Sequence, residues 1–435
     1  MAKLAIKGGT PVRAKKDLFP AYNSVGNEEK AAAARVIDRG ELSGFLGSWG
    51  KGFLGGPEVQ AFEEAWAKKF GVKYAISMNS AGNALIASIG ALGIEPGDEV
   101  IVSPFSMCIS ATAPLFYGAV PIFADIEPEY FCLDPRSVEE RITPRTKAIL
   151  VVDIFGGAHD SRGINAVAKK HGLKVLADSA QCPGAMDGKK FVGTLSDIGI
   201  YSLNVHKNIN TGEGAVAVTD DKELAERLRM IRNHAEAVVP GAGTENISNL
   251  IGFNSRLTEL NAALAHEQLK KVDGLNAARR KNVAYLRERL QDMPGFRPAK
   301  ERPDTQSVFH HMPFLYDEAV VGVPRSAFVD AIKAELPETR MREGFGPLIY
   351  GGYINLPMLP VFQRKIAFGT KGYPFVSPLY NGTPDYSKGI CPVAERLYDK
   401  EFIGTEMMRP GMTEGDLDDV VVVFHKVYEH RAELS

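Results

Sequence analysis

The chain has 435 residues, more than one ordinary domain requires, and its 45% hydrophobic content is enough to bury a large core. Its 51 basic and 53 acidic residues nearly cancel, so no strong field is available to attract nucleic acid or an anionic membrane surface. The composition therefore predicts two domains in one chain and a small-molecule ligand.

Four cysteines, Cys108, Cys132, Cys182 and Cys391, lie far apart without a CxxC pair. This spacing argues against a zinc site and against a disulfide framework, and it predicts reduced thiols in the core. The first residues, MAKLAIKGGTPVRAKK, lack an apolar run followed by a small-residue cleavage site. Nowhere does the chain approach the roughly 18 apolar residues of a membrane span. We therefore expect a cytoplasmic protein without a metal site.

Short apolar runs alternate with segments of helical period between residues 70 and 235. The predicted strands are KYAISM, DEVIVS, VPIFADI, KAILVVDIF, LKVLAD, IGIYSL and AVAVTD. The predicted helices are AGNALIASIGALG, AVAKKHG and KELAERLRMIRNHA. Such alternation is typical of an α/β fold with a mostly parallel sheet and crossover helices.

A long segment of helical period follows, RLTELNAALAHEQLKKVDGLNAARRKNVAYLRERL. We expect this helix to join two domains, because its apolar positions keep helical spacing while many exposed positions are charged. From about residue 340 to 390 the chain is dense in Gly, Pro and Tyr. That composition predicts a structured loop region more than a regular element.

Four residues near the ends of two predicted strands form an unusual set. Asp178 ends one strand and Gln181 follows it, while Ser202 ends another strand five residues before Lys207. Alone, Asp178 is best explained as a turn residue at a strand end, and Lys207 as a solvated surface charge. In combination they supply the parts that pyridoxal phosphate requires.

The chemistry of that cofactor gives each residue a role. A lysine amine holds the aldehyde as a Schiff base, and Lys207 is the lysine predicted for this role. The pyridine nitrogen keeps its proton when a carboxylate faces it, and Asp178 is predicted to be that carboxylate. The ring hydroxyl needs a hydrogen-bond partner, for which Gln181 is placed. The N-terminus of the helix that begins in NSAGNAL is predicted to bind the phosphate, with the hydroxyl of Ser202 as a further donor.

Several segments then resemble those of the DegT/DnrJ/EryC1/StrS aminotransferases, which aminate keto sugars and cyclitols. The motifs that carry the resemblance are DSAQ, YSLNVHK and NTGEGA. Further similar segments follow in the family's order over most of the chain: GGPEVQAFEEAWAKKFGVKYAISMNSAGNAL, ALGIEPGDEVIVSP, ITPRTKAILVVDIFGG and IGFNSRLTELNAALAHEQL.

The resemblance implies a PLP-dependent transferase of fold type I, with Lys207 and Asp178 as catalytic residues and pyridoxal 5'-phosphate as cofactor. That fold has a mostly parallel central sheet with helices on both faces and a smaller C-terminal α+β domain. It implies an N-terminal segment with the large cofactor-binding domain at residues 1–275 and the small domain at 276–435.

Other positions gain a role only from the resemblance. Asn254 would reach the phosphate of the neighbouring subunit, which implies a homodimer with shared active sites. Ala81 and Gly82 stand where the family usually has a Gly-Thr pair, so the phosphate turn lacks a hydroxyl. Met107 stands where an aromatic residue usually stacks on the cofactor ring, and its polarisable sulfur suits that position.

Alternatives stay open from the sequence. The first hypothesis is an aminotransferase with glutamate or glutamine as donor, serving amino-sugar, polysaccharide or secondary-metabolite biosynthesis. The second is a related sugar dehydratase, which has His at the position of Lys207; here His206 is adjacent. The third is a non-catalytic regulator on the same fold. Locally, Asn254 is also a good helix cap, and the region from 340 to 390 is either a cover for the sugar site or structural padding.

Overall fold

The structure is a computed structural model and describes residues 3–337, 339–341, 344–346 and 349–434. Its strands are β1 (Tyr74–Met78), β2 (Glu99–Val102), β3 (Val120–Phe123), β4 (Thr146–Val152), β5 (Lys174–Asp178), β6 (Met186–Asp187), β7 (Lys190–Phe191), β8 (Ile198–Ser202), β9 (Ala215–Thr219), β10 (Phe296–Pro298), β11 (Thr305–Gln306), β12 (Met312–Tyr316), β13 (Thr339–Met341), β14 (Gly344–Gly346), β15 (Ile349–Gly351) and β16 (Phe402–Thr405).

Its α-helices are α1 (Asn27–Arg39), α2 (Pro57–Phe70), α3 (Ala81–Ala91), α4 (Ile109–Thr112), α5 (Pro135–Glu140), α6 (Ser161–His171), α7 (Lys222–Arg232), α8 (Ala235–Ala242), α9 (Glu259–Leu290), α10 (Glu318–Val321), α11 (Arg325–Glu335), α12 (Pro360–Gln363), α13 (Pro392–Arg396) and α14 (Glu414–Glu429).

A large sheet organises the first half of the chain, with the strand order β1-β9-β8-β5-β4-β2-β3. The strands from β8 to β3 in this order pair in parallel, whereas β9 runs antiparallel between β1 and β8. All seven predicted strands lie in this sheet, so the predicted α/β class and its mostly parallel sheet are confirmed.

Strand β4 shows why helices must cover both faces of the sheet. Ala148, Leu150 and Val152 lie in the core that also contains the buried side of α3. The alternate residues Ile149 and Val151 lie in a second core, built against α6. Because successive side chains of a strand point to opposite faces, a strand that is apolar throughout is buried between two helical layers.

The predicted helices are present as α3, α6, α7 and α9. Helix α9 begins at Glu259, and the Thr258 side chain accepts the N–H of Asn261 at its N-terminus. The alternative interpretation of Asn254 as the cap of this helix is therefore wrong. No helix within the described ranges is long and apolar enough to cross a bilayer.

A second, four-stranded sheet has the order β10-β12-β16-β15. Together with α11, α14 and the end of α9 it encloses its own core, in which Phe296 stacks on Phe314 at 4.7 Å between ring centres. This assembly is the smaller α+β part that the fold class requires. The predicted division after residue 275 falls inside α9 and stays a prediction.

The Gly- and Tyr-rich region is largely irregular and lies against the β2–β3 side of the large sheet. The hydroxyl of Tyr380 donates to Glu99 Oε1 at 2.9 Å, and that of Tyr386 donates to the Pro121 carbonyl at 2.8 Å. Both rings are buried. The prediction of a structured loop is confirmed for the described part of the region; residues 342–343 and 347–348 lie outside the described residues.

The cysteines differ in one respect from the prediction. Cys132, Cys182 and Cys391 are buried free thiols, but Cys108 is exposed. The expectation of a core thiol is wrong for Cys108, which lies beyond the end of β2 and directly before the short helix α4.

Candidate active site

The predicted site residues meet at the edge where β1, β5 and β8 end, here called the carboxyl edge. Asp178 is the last residue of β5 and Ser202 the last of β8, as the sequence predicted. Both side chains are buried. Helix α3 begins at the same edge directly after β1. Parallel sheets bind ligands at this edge because loops and helix N-termini converge there.

Asp178 is 5% exposed, and two hydrogen bonds hold its carboxylate. Ser110 Oγ donates to Oδ2 at 2.6 Å, and the Ala180 N–H donates to Oδ1 at 3.2 Å. Burial raises the pKa of Asp178, whereas the Ser110 bond and the charge of Lys207 lower it. Such a carboxylate is only partly compensated, so a cation placed against it, such as a pyridinium, fits this position.

Lys207 is 6% exposed, so its interpretation as a solvated surface charge is wrong. Its backbone N–H donates to the Asn204 carbonyl at 2.9 Å in the turn after β8. Because its charge lowers the pKa of Asp178, the two side chains share one electrostatic site. A buried lysine at the end of a parallel sheet is a residue with a chemical task more often than a structural one.

Gln181 is held by the backbone of another loop. Its Oε1 accepts the N–H of Phe155 at 2.6 Å, and Phe155 adopts a positive φ of 58°. The Tyr353 hydroxyl also bonds Gln181, which lowers the pKa of Tyr353, but burial dominates and raises that pKa to about 12. Tyr353 comes from the Gly- and Tyr-rich region, so this region reaches the site as well as the sheet edge.

The start of α3 provides an anion site of backbone groups. Ser80 caps the helix, accepting the N–H of Asn83 at 3.2 Å, and the first helical residues are Ala81 and Gly82. The first N–H groups of a helix have no partner inside it and carry the positive end of its dipole. A Cβ added at Gly82 would meet the Ile109 side chain at 3.6 Å and Ser80 Oγ at 3.9 Å, so the turn has room for a larger residue.

Met107 and Asn254 lie at the rim of this arrangement. The Met107 side chain is 47% exposed and precedes α4, which contacts the start of α3. Asn254 is exposed, and its Oδ1 accepts from Arg256 Nε at 2.8 Å. The adjacent carbonyl of Ser255 accepts the N–H of Asn79 at 2.9 Å, next to the start of α3. The roles of both residues toward a cofactor stay predictions.

A buried network behind Asp178 was not predicted. Asp153 accepts a bond from Ser179 Oγ at 2.5 Å and contacts His159 Nδ1 at 2.7 Å. The Asp153 N–H donates to the Asp178 carbonyl at 3.0 Å. This network ties the end of β4 to the end of β5. Its sequence signal was Asp153 and His159 in the segment DIFGGAHD, which follows an apolar strand.

Two adjacent histidines near Lys207 were also missed. The rings of His310 and His311 lie 4.3 Å apart, and His310 lies 5.9 Å from the ring of His206. Burial lowers the pKa of both, that of His311 to about 4 and that of His310 well below its usual range. The Tyr350 hydroxyl lies 3.2 Å from His311 Nδ1. Both rings are therefore neutral at physiological pH, available as donors or acceptors.

Comparison with known proteins agrees with this geometry. The model of the DegT/DnrJ/EryC1/StrS aminotransferase family matches residues 46–347. The L-glutamine:2-deoxy-scyllo-inosose aminotransferase of Streptoalloteichus tenebrarius is 31% identical and aligned over 99% of each chain. The dTDP-3-amino-3,4,6-trideoxy-alpha-D-glucose transaminase of Streptomyces venezuelae is 36% identical over 68% of this chain and 73% of its own. The crystal structure of S. venezuelae DesV, 29% identical, superimposes with a TM-score of 0.73 over 92% of this chain and 94% of DesV.

Proposed function

Since the chain belongs to the DegT/DnrJ/EryC1/StrS aminotransferase family, we propose that it uses pyridoxal 5'-phosphate to move an amino group from glutamine to a keto cyclitol. Glutamate is the second candidate donor and a nucleotide-linked keto sugar the second acceptor. The cyclitol is favoured because the relative aligned over 99% of both chains is named for a cyclitol, whereas the relative named for a dTDP-sugar aligns with 68% of this chain.

The observation that carries this proposal is the buried Lys207 in electrostatic contact with the buried Asp178. When bound, the cofactor supplies an aldehyde that an amine captures and a ring that withdraws electrons from the carbon losing its proton. Both tasks need the residue types found here. The charge of Asp178 is only partly compensated, which suits a residue that faces the protonated ring nitrogen. The start of α3 has the room that the phosphate requires.

Each residue of the carboxyl edge then has one task. Lys207 Nζ would hold the aldehyde of the bound cofactor, and as a free amine it would take the proton from the donor's α-carbon. Asp178 keeps the proton on the ring nitrogen, and Gln181 accepts or donates at the ring hydroxyl. The first N–H groups of α3 and the hydroxyl of Ser202 bind the phosphate. Met107 would pack against the ring through its polarisable sulfur, and the burial of Lys207 would exclude water from its amine.

The dehydratase and regulator hypotheses receive less support. A dehydratase of this family has His in place of the lysine, but here Lys207 holds that position and the ring of His206 lies next to His310. A regulator would not need a buried lysine beside a buried carboxylate, because burial of ionisable groups costs free energy and is typical of sites that carry out chemistry.

We further propose a homodimer that shares its active sites. Large apolar side chains are exposed on two segments that hydrogen-bond residues 233–234, among them Trp49 and Leu46 in one segment and Ile251 and Phe253 in the other. Exposed apolar surface of this extent marks an interface between proteins. Asn254 lies within the second segment, so a residue of one subunit would reach the phosphate of the other.

The proposal is tested by the two half-reactions. The purified protein is mixed with L-glutamine or L-glutamate alone, and the absorbance of the bound cofactor is followed. We expect glutamine to change the spectrum at least about tenfold more efficiently than glutamate, since a dedicated donor pocket discriminates by one to a few kcal/mol. The aminated protein is then offered a keto cyclitol or a dTDP-linked keto sugar. No spectral change with either amino acid would exclude the aminotransferase assignment.

A further inference from the structure

The turn that carries Lys207 is held by residues distant in sequence. Asn208, which follows the lysine, is almost fully buried. Its Nδ2 donates to Asn276 Oδ1 at 3.0 Å and to the Val308 carbonyl at 3.1 Å. Because a buried amide with such bonds has few other orientations available, the backbone next to Lys207 is fixed from outside the turn itself.

Asn276 extends this support to the loop of Gln181. It lies in α9 and is buried, and its Nδ2 donates to the Pro183 carbonyl at 2.8 Å. Pro183 is two residues beyond Gln181. One buried side chain therefore connects the turn of the lysine with the loop that carries the predicted partner of the ring hydroxyl, so the two are held at a fixed separation.

The chain that precedes α1 contacts the same turn at two points. The hydroxyl of Tyr22 donates to the Asn208 carbonyl at 2.6 Å, and both residues are buried. Ser24 Oγ accepts from Asn210 Nδ2 at 3.1 Å and donates to Gln268 Oε1 at 2.8 Å. The N–H of Asn210 donates to the same Gln268 oxygen at 3.2 Å. Both contacts come from outside the large sheet.

This N-terminal segment, residues 3–26, is itself anchored to the smaller α+β part. The N–H of Val12 donates to Glu335 Oε2 at 3.0 Å, and Glu335 is fully buried at the end of α11. Arg13 Nη1 lies 2.7 Å from Asp416 Oδ1 in α14. Since the segment is bound at both ends, the hydroxyl that it presents to the turn of the lysine is held in place.

We propose that Tyr22 is a positioning residue for Lys207, whose turn it fixes through the hydrogen bond to the Asn208 carbonyl. The proposal rests on the aminotransferase function above. A lysine amine ends a flexible four-carbon stem, so the position of its backbone decides which atoms the amine can reach. A proton-transferring group must lie within hydrogen-bond distance, and a displacement of about 1 Å can cost about 100-fold in rate.

The alternative is that the hydroxyl of Tyr22 only stabilises the fold, as many buried tyrosines do. Tyr316 provides the matched control. It is also buried, and its hydroxyl donates to the Val323 carbonyl at 2.8 Å in the core of the smaller α+β part. Tyr22→Phe and Tyr316→Phe therefore remove the same kind of bond, but only the first of these bonds reaches the turn of Lys207.

The first measurement follows the reaction of the cofactor-loaded protein with glutamine. Tyr22→Phe keeps the ring, whose centre lies 5.1 Å from the Arg279 guanidinium, and removes only the hydroxyl. We expect kcat to fall about 10–100-fold while KM stays within about threefold. The isotope effect with α-deuterated glutamine should rise, because proton transfer to the displaced amine becomes slower. Tyr316→Phe should leave kcat, KM and the isotope effect unchanged.

The second measurement uses the cofactor-free protein and needs no turnover. Hydrogen exchange of backbone N–H groups is followed by mass spectrometry on the peptide that contains Lys207. We expect Tyr22→Phe to speed exchange there at least about tenfold, because one of the bonds that close the turn is lost. Tyr316→Phe should not change it. If Tyr22→Phe does not fold, Ser24→Ala carries both measurements, since it loosens the same turn at Asn210.

Each outcome decides between the ideas. Unchanged exchange at Lys207 in Tyr22→Phe, or an unchanged kcat in an active parent background, overturns the positioning role alone. An equal loss of kcat in Tyr22→Phe and Tyr316→Phe, in step with Tm, assigns Tyr22 to the stability of the fold and also overturns it. A parent protein that reacts with neither glutamine nor glutamate rejects the aminotransferase function itself, whatever the exchange at the turn shows.

Discussion

The hydroxyl of Ser110 donates to Asp178 Oδ2 across 2.6 Å. Ser110 lies in α4 after β2, whereas Asp178 ends β5, so this bond joins α4 to a strand end at the carboxyl edge. It is the largest single influence that opposes the effect of burial on the pKa of Asp178. The ionisation of Asp178, the residue proposed to face the cofactor ring, is therefore adjusted by a serine that nothing in the sequence singled out.

Removal of that hydroxyl should change the pH profile. Burial raises the pKa of Asp178 and the Ser110 bond lowers it, so Ser110→Ala should raise this pKa further. Activity requires the ionised carboxylate and falls as pH drops through its pKa. The acid limb of kcat against pH should therefore move to higher pH in Ser110→Ala.

The control for this prediction is Ser88→Ala. Ser88 is also buried, but its hydroxyl bonds only the Ala84 carbonyl within α3 at 2.7 Å. Its pH profile should match that of the parent. An acid limb that stays in place in Ser110→Ala, or moves to lower pH, would show that this bond does not set the ionisation of Asp178.

Asp178→Asn should keep the cofactor bound and slow the chemistry. A neutral amide cannot hold the proton on the ring nitrogen, so we expect kcat to fall by about 10²-fold or more. The isotope effect with α-deuterated glutamine should rise because proton removal becomes slower. Asp160→Asn is the control, since Asp160 caps α6 and asparagine caps equally well. Near-parental kcat in Asp178→Asn would reject the role.

Gly82→Thr should strengthen cofactor binding. The position has room for a Cβ, and the threonine hydroxyl would add a hydrogen bond to the phosphate at the start of α3. We expect the Kd of pyridoxal phosphate to fall about 3–10-fold, the value of one added hydrogen bond. Gly82→Ala separates this effect from the gain in helix stability, because it adds a Cβ without a hydroxyl. Equal Kd values in the two variants would place the phosphate elsewhere.

Asn254 offers a test of shared active sites. If its amide reaches the phosphate of the neighbouring subunit, mixing Lys207→Ala and Asn254→Ala subunits puts both lesions in one site and leaves the other intact. Each variant alone should be impaired, and mixing should restore up to about half of the parental activity per heterodimer. The oligomeric state is measured in parallel by light scattering. A stable active monomer, or no recovery on mixing, contradicts the arrangement.

The sequence predicted the large sheet and its edge residues because both depend on local patterns. Alternating apolar runs define β5 and β8, and the last residue of each, Asp178 and Ser202, is a polar residue at a strand end. The capped start of α3 follows from Ser80 in the same way. Such signals lie within a few residues of one another, so they can be recognised without knowledge of the tertiary fold.

The residues that were missed depend on contacts between distant segments. His310 and His311 lie about a hundred residues after Lys207, so nothing in their local sequence places them near it until the fold buries both. The same holds for Ser110 and for Tyr353, whose hydroxyl contacts Gln181. The prediction failed for Cys108 because the spacing of cysteines carries no information on burial, and the fold leaves this residue exposed.

The covalent link to Lys207 is the most direct test of the central claim. The purified protein, loaded with pyridoxal phosphate, is reduced with borohydride, digested and mapped by mass spectrometry. We predict that the reduced cofactor is found on the peptide containing Lys207, and that Lys207→Ala keeps its fold but carries no label. A label on another lysine, or none on a protein that binds the cofactor, would contradict the assignment of this site.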